Sequence, residues 1–137
     1  MRVQNDDLLV AAARRAAENA YAPYSGFRVG AAILTADGDI ITGCNVENAA
    51  YGSSICAEAA AIVSAVAQGS RSMKTIAVAC VDADSIDGAY PCGNCRQLIN
   101  EFGIDRVIVT TGVGESRSHM HSDLLPHGFS FGPDTDD

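Results

Sequence analysis

Thr75-Ile76-Ala77-Val78-Ala79-Cys80-Val81 and Arg106-Val107-Ile108-Val109-Thr110-Thr111 are short, apolar, largely β-branched runs. Neither alternates with polar residues, so each reads as a strand covered on both faces. Between them lie a loop rich in Asp and Gly, residues 82–90, and a helical stretch, 93–102, closed by Gly103. Strand, helix, strand in that order implies a right-handed parallel crossover. The fold class is therefore α/β, a mixed sheet with helices on its faces.

Working outward, Arg28 to Thr35 and Ile40 to Val46 flank Asp37-Gly38, a hairpin signal. Asn5 is placed to cap a first helix, with Asp6 and Asp7 against its positive end. That helix runs to about Tyr21 and stops before Pro23. Residues 56–68 read as a buried helix with Ala59, Ile62, Val63 and Val66 on its apolar face, ending at Gly69. His119-Met120-His121 alternates as a strand would, with both imidazoles on one face. Residues 1–132 form one domain, and Pro133 to Asp137 an acidic tail expected to be disordered.

At 137 residues and 47% hydrophobic content, a full core needs no staples. Nine Lys and Arg against 17 Asp and Glu give a formal charge of −8. A nucleic-acid partner needs a basic face, so none is expected; a neutral small molecule fits better. No stretch reaches the roughly 18 apolar residues of a membrane helix. Asn5-Asp6-Asp7 interrupts any signal-like start. The five cysteines suit a reducing cytoplasm, where thiols bind metal rather than pair.

Three of those cysteines stand in Cys56-Ala57-Glu58 and Pro91-Cys92-Gly93-Asn94-Cys95. Three thiolates hold a zinc ion and leave its fourth position open. A carboxylate beside that position moves protons for water. Cys92 and Cys95, three apart at a helix start, face one point. Cys56 and Glu58 are only two apart, so Cys56 belongs at the very first turn of its helix, where Glu58 reaches around. Both helix N-termini then favour the negative site. A structural zinc site is the bland alternative. Its fourth ligand would be Cys44, Cys80, His119, His121 or His127, and it leaves Glu58 without a task. Cys44 and Cys80 otherwise read as small buried hydrophobes. Asp82, Asp84 and Asp87 read as loop charges.

The two clusters resemble the signature of zinc nucleobase deaminases, with cysteine as first ligand. Over nearly its whole length the chain resembles the small homotetrameric cytidine deaminases. The matching segments are Ala20-Tyr21-Ala22-Pro23-Tyr24-Ser25, Phe27-Arg28-Val29-Gly30-Ala31, Thr42-Gly43-Cys44-Asn45-Val46-Glu47-Asn48-Ala49, the two cysteine clusters with Arg96-Gln97, and Leu124-Leu125-Pro126. The resemblance implies a three-layer α/β/α fold, with a five-stranded mixed sheet and helices on both faces. It implies one Zn²⁺ per subunit on Cys56, Cys92 and Cys95, with Glu58 as proton shuttle. The activity implied is hydrolytic deamination of cytidine and deoxycytidine in pyrimidine salvage. Asn45 and Glu47 match a pair on the ribose, Phe27 an aromatic on the base, and Ala57 a backbone contact to the pyrimidine. Tyr51 and Phe129 match residues contributed across subunit interfaces of a homotetramer. From the residues alone, Phe27 reads equally as strand core, and Asn45 and Glu47 as hairpin-end polar groups.

Three positions depart from the family pattern. Ala59 stands where an arginine often follows Cys-Ala-Glu, leaving helix dipoles and Arg96 to offset thiolate charge. Tyr90 replaces a small residue before Pro91-Cys92. Gly52-Ser53-Ser54 replaces a more apolar lead. Blasticidin-S deaminase is the nearest enzymatic rival, and it lacks the Asn-Val-Glu-Asn pattern. Deaminases of tRNA or DNA usually carry a histidine first ligand and a basic surface.

Overall fold

The structure, a computed structural model, describes residues 2–131. Five strands, β1 (Val29–Thr35), β2 (Ile40–Cys44), β3 (Met73–Cys80), β4 (Arg106–Thr111) and β5 (Ser116–Met120), form one sheet in the order β2-β1-β3-β4-β5. The β3–β4 pair is parallel and the other pairs are antiparallel. The helices are α1 (Arg2–Ala17), α2 (Ala57–Ala67), α3 (Gly93–Glu101) and the short α4 (His121–Leu124). The acidic tail expected at Pro133 to Asp137 lies outside the described residues.

Alternation along the strands sends residues to two different covers. Ala32, Ala77, Ala79 and Ile108 meet Leu9 and Ala13 of α1 on one face. Ile33, Ile76, Val78, Val107 and Val109 meet Ile62 of α2 and Ile99 of α3 on the other. The expected three layers follow. Each fully buried Ile or Val here contributes about 1.5–3 kcal/mol.

Two glycines set the spacing between layers. A Cβ at Gly43 on β2 would sit 2.4 Å from the Ala61 nitrogen and 2.9 Å from the Ala57 oxygen. The first turns of α2 therefore rest directly on the strand backbone. Gly30 does the same for α1: its Cβ would lie 2.0 Å from the Ala13 oxygen.

Several expectations about local structure are corrected. The first helix begins at Arg2, so Asn5 lies inside it and caps nothing. Asp6 instead pairs with Arg106 of β4 at 2.7 Å, tying α1 to the sheet. The helix stops at Ala17, short of Tyr21, because Tyr21 is needed as extended chain. Its N–H donates to the Asn45 carbonyl (3.0 Å) and its carbonyl accepts from the Glu47 N–H (2.8 Å). Val63 of α2 is 61% exposed rather than packed, the buried side falling on Ala57, Glu58, Ala61, Ile62 and Ala65. β5 ends at Met120, so His121 opens α4 and shares no strand face with His119. The hairpin and the stops at Gly69 (φ 95°) and Gly103 (φ 62°) are as expected.

Asp82 is more than a loop charge. It accepts from the Arg28 backbone N–H (2.8 Å), Nε (2.9 Å) and Nη2 (2.8 Å), joining the chain before β1 to the chain after β3. Those bonds, the guanidinium's first, hold its carboxyl down at about 2. A depressed folded-state value means that the stabilisation is present above the ordinary aspartate range, about 4, and fades as pH falls toward 2. Asp82→Asn should thus lower the thermal midpoint at pH 7, and its gap from wild type should close between about pH 4 and 2. Gly43→Ala should cost about 1–3 kcal/mol or more through overpacking. Denaturant unfolding checks this, and an unchanged midpoint would contradict the seating of α2 described above.

Candidate active site

Both motif helices begin at the same place. Cys56 is the N-cap of α2 (φ −76°, ψ 154°) and Cys92 the N-cap of α3 (φ −71°, ψ 172°). Extended backbone at each cap turns the cysteine out of its helix, and the first turn of α3 adds Cys95. The three sulfur atoms lie within 4.8 Å of one another. Tetrahedral zinc with bonds of about 2.3 Å holds its sulfur ligands about 3.8 Å apart, so the donor set fits this metal. All five cysteines are free thiols. Cys80, the candidate fourth ligand nearest the cleft, is outside the cluster; its thiol donates to the Ala89 carbonyl at 3.7 Å. Burial pushes that thiol up to about 12, so it stays protonated.

The neighbouring Cys95 thiol draws Cys56 down to about 7, and Cys95 itself is pushed up. Thiols must lose their protons to bind a dication.

Glu58 lies in the first turn of α2, two residues beyond Cys56. It is 5% exposed, and burial raises its carboxyl above the ordinary value. Among the described residues no salt bridge reaches it. A buried carboxyl without an ion pair that lines a cleft is a candidate for proton transfer.

That cleft has a volume of about 720 Å³. Phe27, Asn45, Glu47 and Tyr51 line it, together with Ala57, Glu58 and the three cysteines. Asn45 bridges the start of β1: Nδ2 donates to the Phe27 carbonyl (2.9 Å) and Oδ1 accepts from the Val29 N–H (2.9 Å). Glu47 accepts from the backbone N–H of Tyr24 (3.0 Å) and Ser25 (3.1 Å) and from the Ser25 hydroxyl. Those donors, the hydroxyl foremost, keep its carboxyl below the ordinary range. Phe27 packs against the core and lines the cleft as well, so both of its readings hold. Tyr51 is 91% exposed at the rim.

Phe129 does not line the cleft of its own chain. It is exposed, and its backbone is held on α3 by Gln97 (2.8 and 3.2 Å) and Asn100 (3.1 Å). Ser25 is a site residue that motif reasoning passed over, although it closes the Ala-Tyr-Ala-Pro-Tyr-Ser segment. Arg96 donates to the carbonyls of Pro91 (2.8 Å) and Leu124 (2.7 Å), a use for its guanidinium other than offsetting thiolate charge.

The profile of the cytidine and deoxycytidylate deaminase zinc-binding region matches residues 3–111. The chain belongs to this family. It is 46% identical over 124 residues to a cytidine deaminase of Sporosarcina psychrophila, covering 89% of each chain. The crystal structure of a cytidine deaminase from Burkholderia pseudomallei superposes with a TM-score of 0.84 at 45% identity, covering 90% of this chain and 98% of that one. A blasticidin-S deaminase of Bacillus cereus is 36% identical over 72% of this chain and 74% of its own. The family's domain is zinc-binding, and Cys56, Cys92 and Cys95 sit close enough together to hold the ion.

Purified protein should carry one zinc per chain by elemental analysis. Cys92→Ala should retain less than about a tenth of it, since two thiolates no longer make a closed set. Full occupancy in that variant would contradict the assignment.

Proposed function

We propose that this chain hydrolyses cytidine and deoxycytidine to uridine and deoxyuridine with release of ammonia. The observation that carries the reading is Glu58, buried without an ion pair among the described residues near three convergent thiols, in a cleft that Asn45, Glu47 and Phe27 also line. A cleft of about 720 Å³ suits a nucleoside.

Zinc, when bound, supplies the Lewis acidity that readies water for attack at neutral pH. Glu58 takes a proton from the attacking water and delivers it to the ring nitrogen beside the reacting carbon. It then takes the proton of the newly added hydroxyl and passes it to the exocyclic amine, whose bond to carbon breaks as the carbonyl forms and ammonia leaves. The Ala57 backbone, fixed in the first turn of α2, orients the pyrimidine. Phe27 stacks on the base. Asn45 and Glu47 receive the sugar: beyond the bonds described, the amide keeps one donor hydrogen and the carboxylate keeps accepting capacity. A bare base leaves those groups unpaired and is therefore disfavoured.

We read the working enzyme as a cytoplasmic homotetramer acting in pyrimidine salvage. Tyr51 and Phe129 reach neighbouring sites across its interfaces. The exposure of Phe129, 66%, and its position off its own cleft support this; Tyr51, 91% exposed, also lines the cleft of its own chain. Among the described residues no helix is long and apolar enough to cross a membrane.

Loss of ultraviolet absorbance tests the reading on cytidine, deoxycytidine, cytosine, CMP and blasticidin S. Only the two nucleosides should turn over well. Glu58→Gln should keep its zinc and lose about three decades of rate or more, at the upper part of general acid–base contributions. A zinc-loaded wild type inert toward every nucleoside would end the proposal. Sedimentation should show a tetramer, and a fully active monomer would refute shared sites.

A further inference from the structure

Cys92 is a ligand at a helix cap, and the loop before it, Asp82 to Tyr90, contains only one 3-10 turn, Ile86–Gly88. Where that loop ends therefore decides where the sulfur sits. Two residues before Cys92, Tyr90 packs half-buried against the core. Its hydroxyl shares a hydrogen bond of 2.8 Å with Nε2 of His119, and the two rings lie 5.3 Å apart, tilted at 56°. His119 belongs to β5, the edge strand, opposite Val107. No residue of β5 lines the cleft or belongs to the thiol cluster. A strand remote from the reaction is thus bonded to the residue that delivers a ligand.

We propose that Tyr90 and His119 form a clasp that positions the Cys92 loop, so that zinc retention depends on edge strand β5. The clasp complements Arg96, which holds the Pro91 carbonyl from α3. With both in place, Tyr90, Pro91 and Cys92 are fixed in turn by a side-chain bond, a carbonyl bond and a helix cap. Groups that orient a metal ligand without touching the metal commonly change affinity by about 10–100-fold when removed. Tyr90 and His119 are positioning residues in this sense: neither belongs to the thiol cluster, although Tyr90 also lines the cleft.

The test uses the zinc-loaded full chain and follows zinc release to 4-(2-pyridylazo)resorcinol at fixed temperature. Tyr90→Phe removes one oxygen and keeps the ring, so the core packing is retained. Tyr90→Phe and His119→Leu should each release zinc about tenfold faster than wild type. His119→Gln, which keeps a polar group at the same reach, should restore a rate within about twofold to threefold of wild type. The double variant Tyr90→Phe/His119→Leu should be no faster than the faster single, since both remove one bond. Unchanged release in both singles would overturn the clasp, as would additive effects or a His119→Gln rate equal to that of His119→Leu. A wild type that holds no zinc would overturn the metal reading and the clasp with it, and zinc held equally in all variants would overturn the clasp alone.

Discussion

Three sulfur atoms from two helices must meet at one point, and nearly every feature of the fold answers that requirement. Two of them arrive on α3, which the parallel β3–β4 crossover places over the sheet. The third arrives at the cap of α2, whose depth is set by contact with Gly43 of β2. A side chain at that glycine would lift the helix off the strand by displacing its backbone, and Cys56 and Glu58 would move with it. Because Cys56 caps the helix and Glu58 lies in its first turn, one local conformation fixes both the ligand and the carboxylate.

The electrostatics follow from the same convergence. Two helix N-termini face the thiols, and their partial positive charge favours thiolate over thiol. Ala59, not a cation, follows Glu58, and Arg96 donates to two carbonyls while keeping its charge next to Cys95 in sequence. Glu58 is likewise buried without a cationic partner among the described residues: a salt bridge would hold it ionised, whereas burial raises its carboxyl above the ordinary range.

Much of this was legible in the residues. β3 and β4 announced themselves by β-branched content, the hairpin by Asp37-Gly38, and the ligand set by cysteine spacing. The placement of Cys56 at the first turn followed from the two-residue offset to Glu58, which a continuing helix cannot bring to one point. What stayed hidden depends on tertiary partners. Asn5 looks like a cap, yet Arg106 claims the adjacent Asp6 and the helix runs past it. Val63 continues the apolar period of α2 onto a face left largely exposed by the described residues. Periodicity reports apolarity and not its partner. Ser25 and His119 were illegible as working residues because their roles are hydrogen bonds across 22 and 29 positions.

The central claim is that the three cysteines leave one coordination position open, with Cys80 excluded. Zinc K-edge X-ray absorption of the purified protein measures this directly. The account predicts three sulfur neighbours at about 2.3 Å and one oxygen or nitrogen at about 2.0 Å. Four sulfur neighbours would contradict it, since a closed thiolate shell is a structural clip with no place for water.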